Sequence, residues 1–272
     1  MDTETIREMV RNRYGQIAAG KAPSCCDAQL PADQQAQDYG YSAADLAAAP
    51  DGANLGLGCG NPQAIAAIRP GETVVDLGSG AGFDCFLAAR AAGPAGHVIG
   101  VDMTPEMLAR ARANAARIGA ANVEFRLGEI EHLPLADAAA DVVLSNCVVN
   151  LVPDKAQVFR EAFRVLRPGG RLAISDVVNI RALPPALAAD RALVCGCIAG
   201  AAPATDLQTW LAAAGFRDIR VSVKQDSRAL VAGWATGRGI EDHVAAAIIE
   251  ARKPAAGETA GCAPATGETC CS

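Results

Sequence analysis

Residues 73–82 read TVVDLGSGAG. A short apolar run carrying Asp76 passes directly into Gly78, Gly80 and Gly82, and GFDCFLAARAAG follows. Glycines at such a turn let the backbone approach a ligand closely and open a helix. The stretch therefore reads as a buried strand, a glycine turn and a helix. The same unit recurs downstream. HVIGVDM is a strand, and PEMLARARANAARIGA is a helix with Pro105 in its first turn. NVEFRLGE and DVVLSNCVV are strands, DKAQVFREAFRVL is a helix closed by RPGG, and RLAISDVV is a strand. Four or five apolar strands alternating with helices predict an α/β fold with a parallel sheet covered on both faces.

Outside this block the pattern is weaker. Residues 1–20 have helical spacing, with Ile6, Met9, Val10 and Ile17 on one face. Residues 21–60 read as irregular, and Pro62 to Ile68 as a short helix. Residues 181–250 read as mixed, with helices near 185–199 and 206–214, a strand at IRVSVK and a helix over 241–252. Residues 254–272, PAAGETAGCAPATGETCCS, read as a flexible tail with three thiols. The expected division is 1–70, 71–180, 181–253 and 254–272.

Of 272 residues, 51% are hydrophobic and 20% charged, enough for a sizeable core and too apolar for a disordered chain. The net charge of -6 argues against nucleic acid or an anionic membrane as partner, and 4% aromatics against a base-stacking platform. No apolar run reaches membrane-spanning length, and the polar N-terminus lacks a signal-peptide core, so a cytoplasmic location with reduced thiols is expected. Ten cysteines stand at 25, 26, 59, 85, 147, 195, 197, 262, 270 and 271, with three histidines and no C-x-x-C pair. That pattern argues against a zinc finger and, at this length and in this compartment, against a disulfide scaffold.

The turn is G-x-G-x-G, not the G-x-G-x-x-G of dinucleotide sites. Asp102, 26 residues after Asp76, ends the second strand, where an acid can accept both ribose hydroxyls. Glu129, Ile130 and Glu131 end the third, where an adenine would lie. With the PGG turn and the DVVLSN strand, residues 70–180 resemble the Rossmann-like S-adenosylmethionine methyltransferases. The resemblance implies that fold with an N-terminal helical and loop segment and a C-terminal α+β region on the substrate side. It implies S-adenosylmethionine as cofactor, bound by residues 71–180. Asp76 and the Gly78, Gly80 and Gly82 loop would face the methionine moiety. Asp102 would hold the ribose with Met103 beside it, Ile130 and Glu131 would contact adenine, and Asn146 would lie near the sulfonium end.

Three further segments narrow the resemblance: NLGLGCGNP with Cys59, SNCVVNLVPDK with Cys147, and VCGCIAGA with Cys197. With GFDC at Cys85, GEIEHLP and ISDVV, residues 50–205 resemble the arsenite S-adenosylmethionine methyltransferases. This implies methyl transfer to trivalent arsenic held by Cys59, Cys147 and Cys197, in arsenic detoxification. Arsenite and methylated trivalent arsenicals would be substrates, with thioredoxin or glutathione as reductant and no nucleic-acid or membrane partner. The chemistry fits these residue types. As(III) is soft and takes three sulfur ligands in a pyramid, its lone pair occupying the fourth direction. Ligand thiols must lose their protons, so affinity falls in acid. Separations of 88 and 50 residues exclude a local chelate, so the fold has to assemble the site. The lone pair carries no proton, so its attack on the sulfonium methyl requires no general base, and positioning supplies the catalysis.

Other readings stand beside this one. Cys195 rivals Cys197 by position, and Cys85 is a core thiol or the partner of an N-terminal cysteine. Cys25-Cys26 and Cys270-Cys271 are arsenic-binding pairs or spectators. Asp176 reads as a surface or loop-capping acid, and His97, His132 and His243 as structural. The runner-up function is a quinone or other small-molecule methyltransferase on the same fold. Sequestration of arsenite without catalysis, or zinc on Cys59, Cys147 and Cys197, are further alternatives.

Overall fold

The computed structural model describes residues 2–23 and 30–258. Eight strands form one sheet: β1 (Thr73–Leu77), β2 (His97–Asp102), β3 (Val123–Leu127), β4 (Ala140–Asn146), β5 (Leu166–Asn179), β6 (Ala202–Pro203), β7 (Arg217–Val223) and β8 (Val244–Arg252). The order is β3-β2-β1-β4-β5-β8-β7, with β6 paired to the end of β5. The first five in that order run parallel. β8 is antiparallel to both β5 and β7.

Alternation along the strands explains why both faces are covered. Val75, Leu77 and Val143 join Val158 and Phe159 of the helix Lys155–Val165 in one apolar cluster. Val74, Val98 and Val142 point the other way, onto Phe86 of the helix Phe83–Ala92 and Leu108 of the helix Pro105–Ile118. The crossover after β1 depends on Gly78, whose φ is 72°. A Cβ there would lie 2.4 Å from the Val148 side chain.

The region after β5 departs from expectation. Residues 244–252 form a strand, not the helix read over 241–252. The alanine run favours a helix in isolation, but β5 and β7 each offer an unpaired edge, and β8 hydrogen-bonds to both. Val244, Ala245, Ala246 and Ala247 are all buried, the pattern of an interior strand. The helix expected over 185–199 is two short ones, Pro185–Ala188 and Arg191–Cys195. Asp190 separates them, its carboxylate accepting the N–H groups of Ala192 and Leu193. Residues 21–60 are not wholly irregular, since helices span Ala32–Asp38 and Ala43–Ala48, the second closed by a Ser42–Asp45 capping box. The helix Thr3–Ala18 matches the expected 1–20. Cys25, Cys26, Cys262, Cys270, Cys271 and most of the expected tail lie outside the described residues. Among the described residues no helix is long and apolar enough to cross a membrane.

Candidate active site

A cavity of about 1100 Å³, partly open to solvent, lies beyond the C-terminal ends of β1 to β4. Open parallel sheets bind ligands at this edge. Asp76, Gly78, Gly80, Asp102, Met103, Ile130, Glu131 and Asn146 all line it. Gly82 stands just behind, at the N-cap of the helix Phe83–Ala92 with φ 94°. The buried Asp102 carboxylate accepts the Gly80 N–H at 2.9 Å and the Thr104 N–H at 2.8 Å. It therefore braces the glycine loop from the second strand. Burial raises its pKa, and these two bonds partly offset that.

Two elements join the cavity that sequence reasoning left out. Glu131, 2% exposed, pairs with Arg7 of the helix Thr3–Ala18 at 3.0 Å. Arg7 and Arg11 also reach Glu129, and Val10 and Tyr14 of the same helix line the cavity. The other is a polar knot in the cavity wall. Tyr41 O–H donates to Asp84 Oδ1 at 2.7 Å, and Asn146 Nδ2 lies 3.1 Å from Asp84 Oδ2 and 3.1 Å from the Tyr41 oxygen. Asn146 Oδ1 accepts the Cys59 N–H at 3.1 Å. The knot thus ties the end of β4 to the Cys59 loop. A Cβ at Gly58 would fall 2.8 Å from Asn146 Nδ2, so this approach requires glycine. Burial first, then the charge of Asp84, pushes the Asp76 carboxyl well above the usual range, and burial also raises Asp84. Such a knot has no local signature, since its members come from four separate segments.

The fold brings Cys59, Cys147 and Cys197 together in one buried cluster. Cys59 and Cys147 are joined as a disulfide across a Cα–Cα distance of 5.7 Å. The expectation of uniformly reduced thiols is corrected here: the fold sets these two at bonding separation. The Cys197 thiol donates to the Cys147 carbonyl at 2.7 Å. Cys147 and Cys197 have φ of 59° and 64°, left-handed conformations uncommon for residues with a side chain. Cys195 is buried beside them, its carbonyl accepting the Tyr14 hydroxyl at 3.1 Å. Cys85 is a buried thiol with no disulfide, donating to Asp76 at 3.2 Å.

Of the surface and loop-capping readings of Asp176, the surface one is overturned by its burial. The residue is 2% exposed, and its Oδ1 accepts the Asn150 amide at 2.9 Å and its neighbour's N–H at 2.7 Å. Its Oδ2 has no partner, and a carboxylate oxygen of this residue lies within 4.8 Å of the Cys59 and Cys147 sulfurs. Burial raises its pKa to about 6, against hydrogen bonds and the nearby Lys155 that lower it. Lys155 also feels Cys197, so one buried ammonium faces both the acid and the third thiol. Asp176 stands within β5, and the sequence of a strand does not separate an acid buried among sulfurs from an exposed one.

A methyltransferase domain model matches residues 68–215. An arsenite methyltransferase of Halobacterium salinarum is 52% identical over 93% of this chain and 68% of its own length. The chain belongs to the arsenite methyltransferase family. Another arsenite methyltransferase, from Aquipseudomonas alcaligenes, is 41% identical over 79% of this chain, which spans 63% of that relative. Among solved structures, an arsenic(III) S-adenosylmethionine methyltransferase from Chlamydomonas reinhardtii matches with a TM-score of 0.59 and 34% identity, over 86% of this chain and 74% of that one. The Rossmann-like methyltransferase fold and its cofactor, S-adenosylmethionine, follow from this membership. The cavity suits that cofactor. It pairs a glycine loop and a strand-end acid with a lining that carries five acids and no Lys, Arg or His among the described residues. Such a lining favours a ligand bearing a sulfonium and an ammonium.

Proposed function

We propose that the protein transfers methyl groups from S-adenosylmethionine to trivalent arsenic held by Cys59, Cys147 and Cys197. The observation that carries this reading is the convergence of those three buried cysteines at the sheet edge, beside the glycine-loop cavity. Asp102 takes the ribose hydroxyls, with Met103 alongside. Ile130 and Glu131 border the adenine, and Asp76 with Gly78, Gly80 and Gly82 faces the methionine end. When bound, S-adenosylmethionine supplies an electrophilic methyl group to the arsenic lone pair and leaves as S-adenosylhomocysteine. The protein's task is placement. Three thiolates fix the arsenic pyramid so that its lone pair points at the cavity, and Asn146 holds the Cys59 loop against the end of β4. No residue needs to remove a proton from the nucleophile.

The Cys59–Cys147 disulfide withholds two of the three ligands. Two electrons and two protons convert it to thiols before arsenite binds, and thioredoxin or glutathione supplies them. Methylation raises the formal oxidation state of arsenic, so repeated turnover draws on the same source. The test is to incubate reduced and unreduced protein with arsenite and methyl-labelled S-adenosylmethionine. Labelled methylarsenicals should form only with the reduced protein. Bound arsenic without labelled product would leave a sequestering protein, and methylation of a quinone but not of arsenite would favour the runner-up.

A further inference from the structure

Three carboxylates, Asp76, Asp84 and Asp102, are buried around the cavity, and they are held differently. Asp102 accepts two backbone N–H groups at the far side of the glycine loop. The Asp76 side chain accepts the weak Cys85 thiol donor. Asp84 accepts the Tyr41 hydroxyl at 2.7 Å, the Asn146 amide at 3.1 Å and the Gln63 amide at 3.5 Å. All of its donors are neutral. They stabilise the ionised form without cancelling its charge. Asp84 and Cys147 both line the cavity, and through Asn146 the Asp84 carboxylate stands one side chain from Cys59, so it borders the stretch of cavity next to the thiols.

Given the donor and acceptor proposed above, we infer that Asp84 is the residue by which the site reads the charge of the cofactor sulfur, holding the sulfonium of S-adenosylmethionine in preference to the neutral thioether of S-adenosylhomocysteine. Both ligands carry the same ribose, adenine and amino-acid groups, so Asp102 and Asp76 cannot tell them apart. Only a charge near the sulfur can. Asp84 is itself buried, so a carboxylate without a charged partner acts strongly on a cation a few ångströms away, because little solvent screens it. After transfer the positive charge leaves the sulfur, the attraction lapses and the spent cofactor is released. Asp84 is thus a specificity and positioning residue, not a participant in bond making. Tyr41, Asn146 and Gln63 keep its oxygens aimed.

The test is calorimetric and needs no turnover. Affinities for S-adenosylmethionine, S-adenosylhomocysteine and sinefungin, which carries an ammonium where the sulfonium methyl sits, are measured on the reduced full-length protein and on Asp84→Asn and Asp76→Asn. The wild-type protein should bind both cations more tightly than S-adenosylhomocysteine. Asp84→Asn should weaken both cations by about tenfold or more and change S-adenosylhomocysteine by less than about twofold. Asp76→Asn should weaken all three alike. Equal losses for all three ligands in Asp84→Asn would make Asp84 a purely structural residue and overturn the inference. So would a wild-type protein that does not distinguish the cations from the thioether, a result that stands even where the variant fails to fold. If none of the three binds, the cofactor assignment itself fails, which is a separate outcome.

Discussion

The two halves of the site use the same backbone conformation with opposite residues. On the cofactor side, Gly78, Gly80 and Gly82 have φ of 72°, 52° and 94°. Glycine takes these angles without steric cost, and the missing Cβ leaves room for a ligand. On the thiol side, Cys147 and Cys197 take the same left-handed region at 59° and 64°. A residue with a Cβ costs of order 1–2 kcal/mol there. The cofactor loop is shaped by what is absent from it, whereas the thiol cluster accepts strain because only sulfur supplies the ligand. One half is relaxed and locally encoded. The other is strained, buried and assembled from distant segments.

The comparison breaks most visibly by separating the two binding events. Cys147→Ser should abolish arsenite methylation, by about a hundredfold or more, while cofactor affinity stays within about twofold, since orientation alone carries effects of that size. Loss of cofactor binding in that variant, measured by calorimetry, would mean the halves are not separable. The converse is Asp102→Ala. Loss of charge-assisted bonds should weaken S-adenosylmethionine by about 1.5–3 kcal/mol and leave arsenite binding on the reduced protein unchanged. Titrations with each ligand alone check both expectations.

Two smaller effects sharpen the contrast in stability. Asp176 has a folded pKa of about 6, raised chiefly by burial. The folded protein therefore holds a proton that the unfolded chain releases near pH 4. The resulting destabilisation is absent below about pH 4, grows as pH rises to about 6 and is constant above. Asp176→Asn should raise stability by up to about 3 kcal/mol at pH 8, with no gain at pH 4, in denaturant titrations at the two pH values. Cys197→Gly should be more stable than Cys197→Ala by about 1 kcal/mol, because glycine relieves the left-handed strain and alanine keeps it. Both variants lack the third thiol, so a thermal melt compares strain alone. The same comparison at Gly80, whose φ is 52° and whose absent Cβ meets nothing within 4 Å, should run the same way, with Gly80→Ala less stable than the wild type.

The relaxed half was the readable one. TVVDLGSGAG and Asp102 name their own positions, because a strand end, a glycine turn and a second strand end are local features that a parallel sheet always brings together. Cys59, Cys147 and Cys197 were legible through the segments around them, not through their spacing. Asp84 and Tyr41 gave no signal and Asn146 only through the resemblance, since the bonds among them exist only after β4 and the residue 39–63 region pack. Asp176 looked like any acid after a strand, although its neighbours on β5 and the Cys59 loop bury it. Arg7 on the first helix carried no sequence signal of its own, and only its ion pair with the buried Glu131 reveals it. The alanine-rich β8 was misread because helix propensity is local and an open sheet edge is not.

β8 also imposes an order of events on biosynthesis. Its register sets Ile248 opposite Ser175 and Ala247 opposite Asp176, the β5 residues that flank the thiols. It follows β1 to β7 in chain order, yet it occupies an interior position between β5 and β7. A nascent chain holding β1 to β5 has the glycine loop and its acids in place while the edge of β5 stays open. The cofactor half is therefore independent of β8, whereas the thiol half is closed only once Val244–Arg252 has joined β5.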